Sequence, residues 1–442
     1  MKQFRLLFLT LIYSTHLFAS APKSLPVYLE IAPVINAINM VMIHDVISPP
    51  VAGRYYSYIM LGAYEIVSQN DSKVPVPSSF IKRFPANLKS DLAGYDYKIA
   101  SIYCILETGK NMLPSGYMLQ EDEDSYLATL RKNKISEIVI TQSIELAKQV
   151  SAQVINFSKT DNYGKLSAKL RYTPKRGDAY WYPTPPAYLD AVEPNWTTIK
   201  PLVIDSSTQF KPVTPATPYS KDSTSAFYKL AKQVYDVSKN PAQENLNKAN
   251  FWDCNPFAVT TSGHMMIGFK KISPAGHWMN IACLAVKKAN IGFDQCILVV
   301  TIESITLMDG FISCWDEKYR TNRVRPETYI NRNIDLNWRP VLQTPPFPEN
   351  TSGHAVASNS SSVILTYLLG DNFAYTDNTE LPFGVGPRNF KSFAQAAEEA
   401  SISRFYGGIH FMDSIEAGNK QGRAIADNII EKIKKAGIAQ QN

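Results

Sequence analysis

The chain has 442 residues, 45% of them hydrophobic, which is ample for a large core and by length suggests two or three domains. Its formal net charge is +6, and two of the cations, Lys2 and Arg5, lie at the extreme N-terminus, leaving an excess of about four beyond it. So mild an excess, with no basic run, excludes a general nucleic-acid binder, although it helps gather anions at a pocket.

Residues 1–21 have the pattern of a secretory signal: Lys2 and Arg5 form a basic start, 6–18 an apolar core too short to span a membrane, and Ala19-Ser20-Ala21 a small-residue cleavage site. Export to the periplasm or medium is the expectation. No other apolar stretch is long and uninterrupted; 297–312 comes close, but Glu303 and Asp309 break it. The five cysteines, Cys104, Cys254, Cys283, Cys296 and Cys314, include no Cys-x-x-Cys pair, which argues against a zinc site, and their odd number argues against a disulfide scaffold.

An N-terminal helical region is expected over 22–170. Val34, Ile35, Ile38, Val41 and Met42 recur at helical steps, Ser48-Pro49-Pro50 interrupts them, and Tyr55, Ile59, Ala63 and Tyr64 resume. A further helix is predicted over 132–159, with Ile135, Ile138, Ile140, Ile144, Ala147 and Val150 on one side. His44 reads as structural. Over 171–222 nine prolines exclude long helices, while Trp181, Tyr182, Tyr188 and Trp196 are too aromatic for a flexible linker. This segment is expected to be an ordered connection pinned across the surface of two helical parts.

Helical patterning returns in a C-terminal domain, 223–442, with helices predicted over 226–237, 279–286, 294–315, 355–369, 392–404 and 413–435. No strand alternation and no repeat is evident. The fold class is all-α: a helical-bundle protein, with two helical-bundle halves and its functional site in the C-terminal half.

Three short pieces in that half carry chemistry. The first runs from Lys318 through Arg320 and Arg323 to Arg325-Pro326, the second is Thr351-Ser352-Gly353-His354, and the third is Ser403-Arg404 followed by Gly407-Gly408 and His410. A tetrahedral oxyanion needs several charge-assisted donors, at roughly 1.5–3 kcal/mol each, and free N–H groups at a helix start. Lys318, Arg325 and Arg404 supply the cations, and Ser352-Gly353 opens a predicted helix. Each piece alone is weak. Cations in a cluster are usually a solvated face, and Thr261-Ser262-Gly263-His264 repeats the second piece elsewhere in the chain.

As an ordered set the three pieces resemble the signature of the soluble vanadium-dependent haloperoxidases and type 2 phosphatidic acid phosphatases, a superfamily with one anion pocket. That resemblance implies a vanadate cofactor, or phosphate in the phosphatase branch. Lys318, Arg325 and Arg404 would bind its oxygens, and Ser352 and Gly353 would add hydrogen bonds. His410 would be the axial vanadate ligand or phosphatase nucleophile, and His354 the acid–base partner. Trp315 and Phe347 match a Trp and a Phe that line the halide side in fungal chloroperoxidases. Asp253, or Asn255, after Trp252 would take the place of an Asp that pairs with the pocket arginine. Ile272-Ser-Pro-Ala-Gly-His277-Trp278 resembles a segment ahead of the catalytic helices, with His277 structural. Thr351 stands where the family has Pro, and Ser414 where many members have Asp, with Asp413 one residue earlier.

Two reactions fit this pocket by analogy. In one, hydrogen peroxide and halide give hypohalous acid, with His354 as general base and Lys318 polarising the peroxide. In the other, His410 attacks a phosphate ester, Arg325 and Arg404 stabilise the charge, and His354 protonates the leaving oxygen. The apolar wall and the N-terminal helical half favour the haloperoxidase. A non-catalytic helical binding protein with a degenerate site is the third reading.

Overall fold

The computed structural model describes residues 24–85 and 91–440; the expected signal at 1–21 lies outside them. The described residues form thirteen α-helices and two small hairpins. The N-terminal half contributes α1 (Ile31–His44), α2 (Pro49–Asn70), α3 (Tyr97–Met112), α4 (Gln120–Lys132) and α5 (Glu137–Ser158). After the proline-rich connection come α6 (Ala226–Lys239), α7 (Gln243–Phe251), α8 (Pro274–Ala289) and α9 (Phe293–Thr321). The remaining helices are α10 (Pro326–Asn333), α11 (Gly353–Leu369), α12 (Phe393–Tyr406) and α13 (Met412–Lys435).

The two halves share one core. α2 starts with Pro49 and Pro50 in its first turn and buries nearly its whole circumference, packing on α3, α5 and α9. Gly53 lets α2 press onto α9, since a Cβ there would lie 3.3 Å from the Phe311 ring and 3.4 Å from the Leu307 carbonyl oxygen. α9 is the one helix among the described residues long and apolar enough to cross a membrane, and it is wholly buried along its apolar stretch. Asp309, one of its two interruptions, accepts hydrogen bonds from the backbone N–H groups of Leu202, Val203 and Ile204 at 2.8–2.9 Å. A buried carboxylate so satisfied pins the connection to the central helix.

The connection therefore runs deeper than a surface course. Trp181 and Trp196 are buried, while Tyr188 is exposed. Trp181 N–H donates to Asn322 O at 2.8 Å, Tyr180 bridges to Arg323, and Val192 O accepts from Trp315 Nε1 at 3.2 Å and from the Tyr319 hydroxyl at 2.6 Å. These bonds hold the C-terminal end of α9, where Lys318 sits.

Three local expectations need correction. The helix predicted over 132–159 is broken by Lys134 at φ 61°, and α5 starts only after Ser136, whose hydroxyl caps Val139 N–H; Ile138 is consequently exposed. α7 was not anticipated, because its nine residues are mostly polar. The expected absence of strands fails at two short antiparallel hairpins, β1 (Val259–Ser262) with β2 (Met265–Gly268) and β3 (Tyr375–Asp377) with β4 (Arg388–Phe390).

Candidate active site

Each signature piece sits at a helix end, and the packing brings the ends together. α9 ends at Asn322 in a left-handed cap, which turns the chain so that Lys318 in its last turn and Arg325 at the N-cap of α10 face the same region. Pro326 then starts α10. Ser352 caps α11, its hydroxyl accepting from Ala355 N–H at 3.4 Å. The α11 start is fixed by α13, which carries no side chain at its two closest points: a Cβ on Gly422 would lie 2.4 Å from Val356 O, and one on Gly418 3.0 Å from Ser352 O. Arg404 occupies the last turn of α12, and the Gly407-Gly408 turn, with Gly408 at φ 77°, leads to His410.

The cations are buried, which rules out the solvated face for three of the four in the first piece. Lys318 and Arg325 are fully buried and Arg323 nearly so; Arg320 remains partly exposed beside Glu317. Lys318 Nζ donates to the carbonyl oxygens of Pro348 (3.1 Å), Glu349 (3.2 Å) and Thr351. Arg325 donates through Nε to Phe347 O at 2.9 Å and through Nη1 to Ile409 O at 2.8 Å. Phe347 lies beneath both cations, with Lys318 Nζ 5.0 Å and the Arg325 guanidinium 5.1 Å from its ring centre. Arg404 is held by the Ser403 hydroxyl (2.9 Å) and Ala249 O (3.2 Å).

His410 is held in one tautomer. Its Nδ1 donates to Glu349 Oε1 at 2.8 Å, which leaves Nε2 as an acceptor, here for Arg325 Nη1 at 3.1 Å. Glu349 is fully buried and also accepts from Phe411 N–H and from Arg323. Sequence reasoning missed this residue. It lies beside the second motif in Pro-Phe-Pro-Glu, but only the fold carries it to His410. The position after the last histidine sorts itself accordingly: Ser414 Oγ is 3.5 Å from His410 Nδ1, and Asp413 forms a two-point pair with Arg323 at 2.9 Å. The carboxylate that orients the imidazole is thus Glu349.

His354 is held by the backbone of Trp252, and its Nε2 is buried without a partner. Arg325 Nη2 is likewise buried and unpartnered. His354, His410, Arg404 and Gly353 line one small cavity of about 30 Å³, together with Asp253, Trp315 and Phe347. The last two pack with ring centres 5.0 Å apart and form its apolar wall. Trp315 spends its indole N–H on Val192 O, so it offers the cavity only its ring. Asp253 is near enough to Arg404 to act on its charge but forms its ion pair with Lys271. Lys318, Arg325 and Ser352 are not among the lining residues, and Arg325 adjoins the cavity through its bond to His410 Nε2.

Electrostatically the cavity is cationic and buried. Burial pushes Lys318 down to about 7 and Arg325 down to about 10. Burial and the surrounding cations hold the imidazoles of His410 and His354 well below their ordinary value, so both are neutral at pH 7. Gathering cations in a low-dielectric site is unfavourable until a negative charge joins them, and such strongly shifted groups in a cavity mark a functional site.

Comparison with known proteins bears on the family and the fold. Residues 298–437 match the family model described as the VCPO second helical-bundle domain. No curated protein is similar. Among solved structures, the chain is similar to a bacterial vanadium-dependent iodoperoxidase, with TM-score 0.85 and 41% identity over 93% of this chain and 98% of that one. Holo and apo forms of a bacterial vanadium-dependent chloroperoxidase share the fold, with TM-scores of 0.62 and 0.64 at 14% identity, covering 94% and 88% of this chain and 97% and 93% of those chains. The chain belongs to the vanadium-dependent haloperoxidase family.

Proposed function

We propose that this protein is a vanadate-dependent haloperoxidase that uses hydrogen peroxide to oxidise halide, H2O2 + X⁻ + H⁺ giving HOX + H2O. The observation that carries the reading is the pair of unpartnered buried atoms, Arg325 Nη2 and His354 Nε2, beside the lone pair of His410 Nε2. A tetrahedral oxyanion would satisfy the orphaned donor and offset the buried cations, so the residues fit vanadate. His410 Nε2 would ligate the vanadium, Lys318, Arg325 and Arg404 would hold its oxygens, and Ser352 with the Gly353 N–H would add hydrogen bonds from the α11 start. When bound, vanadate supplies a Lewis acid that activates peroxide.

The remaining work belongs to the chain. Glu349 keeps the proton on His410 Nδ1 and so leaves Nε2 unprotonated, its lone pair, which accepts from Arg325 Nη1, able to serve as a ligand. Neutral His354 presents Nε2 as the base that takes a proton from incoming peroxide. Lys318, at about 7, gains its proton readily beside an anion and would then polarise a peroxide oxygen. Trp315 and Phe347 give the halide a weakly hydrated wall, which suits a soft anion. Iodide is the first halide to test, because the 41% identical relative is an iodoperoxidase. Export, from the pattern of residues 1–21, belongs to the same proposal.

A paired assay on purified protein, with and without vanadate, tests this. One arm supplies peroxide, halide and a halogen acceptor; the other supplies a chromogenic phosphate ester. Halogenation that requires vanadate is expected. Ester hydrolysis inhibited by vanadate, with no halogenation, would mean an exported phosphatase instead.

A further inference from the structure

A second cluster lies behind the loop that carries Asp253. Cys254 Sγ, His277 Nδ1 and Glu380 Oε1 converge on one point in the interior. Their separations are 3.0 Å (Nδ1 to Oε1), 3.4 Å (Sγ to Nδ1) and 4.0 Å (Sγ to Oε1). The edges of a tetrahedron built from ordinary zinc–sulfur, zinc–nitrogen and zinc–oxygen bonds are about 3.3–3.6 Å long. The triangle is therefore within about half an ångström of a ready-made ligand face. All three residues are almost entirely buried.

The other imidazole nitrogen completes the pattern. His277 Nε2 faces Asp377 Oδ2 at 2.7 Å, and Asp377 Oδ1 is fixed by Thr379 N–H at 3.0 Å. Metal-bound histidines usually donate their free N–H to a carboxylate, which sets the tautomer and turns the lone pair toward the ion. Here that arrangement leaves Nδ1 facing the thiol and Glu380. From this geometry we infer that Cys254, His277 and Glu380 form a site for a divalent transition ion of the zinc type, with Asp377 orienting the histidine. A thiolate and a carboxylate offset the two charges of the ion, and mixed sulfur, nitrogen and oxygen donors suit zinc better than magnesium or calcium. Three protein ligands leave one position for water.

The ligands lie far apart in the sequence, which is why the lack of a Cys-x-x-Cys pair misleads here. Their place suggests a structural use. Trp252 stacks on the His277 ring with centres 4.6 Å apart, and the Trp252 backbone holds His354. An ion at this point would tie the segment carrying Trp252, Asp253 and Cys254 to the start of α8 and to the loop that follows β3. It would steady His354 from behind.

Cobalt reports on such a site independently of turnover and of vanadate. The purified full chain, cleared of metal by a chelator and titrated with Co2+, should bind a single equivalent. It should show the thiolate-to-cobalt charge-transfer band and the intense visible bands of a tetrahedral ion. Cys254→Ser should remove the charge-transfer band, and Asp377→Asn should weaken Co2+ binding by about 10–100-fold. Circular dichroism checks that each variant folds; if Cys254→Ser does not, Glu380→Gln carries the test, with weaker binding expected. Absence of a saturable band in the wild type overturns the inference, as does a band unchanged by both substitutions, and the cluster would then be an imidazolium held between two carboxylates. Halogenation could fail entirely while the cobalt band remains, so the two proposals stand or fall separately.

Discussion

The chain contains the tripeptide Ser-Gly-His twice, and the two copies meet opposite fates. Gly263 and His264 form the turn between β1 and β2, with Gly263 at φ 59° and His264 exposed. Ser352-Gly353-His354 opens α11 inside the core, facing Arg404 and His410 across a cavity. The side chains are the same. What differs is a helix start that leaves N–H groups free, close packing by α13 that fixes that start, and cations brought in by three other segments. On the proposed function, the neighbours of His354 are what would make it a catalyst.

The sharpest way to break this comparison is to remove each histidine in turn. His354→Ala should lower vanadate-dependent halogenation by about 10²–10⁴-fold, while His264→Ala should leave kcat and KM unchanged in the same steady-state assay. Equal losses would mean that the motif, not its setting, carries the function. A smaller effect is expected one layer out. Glu349→Gln should still fold but hold His410 less firmly, weakening vanadate binding by roughly 10–100-fold, measured by equilibrium dialysis. An unchanged affinity would remove Glu349 from the account.

A third effect concerns pH. Lys318 sits at about 7 in the fold against an ordinary lysine value of 10.5. Between those values the fold binds fewer protons than the unfolded chain, so this group makes stability rise as pH increases through that window. Thermal unfolding of the vanadate-free protein followed from pH 7 to pH 10 should show that rise, and Lys318→Met should flatten it. Saturating vanadate should flatten it too, because an anion lets Lys318 keep its charge.

Much of the pocket was legible because its residues come in short ordered strings. Lys318, Arg325, Ser352, Gly353, His354, Arg404 and His410 each stand in a motif, and the helical periodicity around them placed the motifs at helix ends. Trp315 and Phe347, read only by matched spacing, do line the cavity. Glu349 was not legible, since its partner lies 61 residues away and a lone glutamate carries no spacing signal. The Cys254–His277–Glu380 cluster escaped for the same reason, its members being drawn from three segments that only tertiary packing unites. The connection over 171–222 was legible as ordered from its tryptophans, but its grip on α9 through Asp309 and Val192 depends on backbone groups that sequence does not distinguish.

Titration calorimetry of vanadate into the purified protein, set beside His410→Ala, tests the central claim most directly. Saturable binding at a single site in the wild type, lost in a variant that retains its circular dichroism spectrum, is the predicted result. Vanadate that fails to bind the wild type, or that binds His410→Ala equally well, would contradict the assignment of this cavity as the oxyanion site.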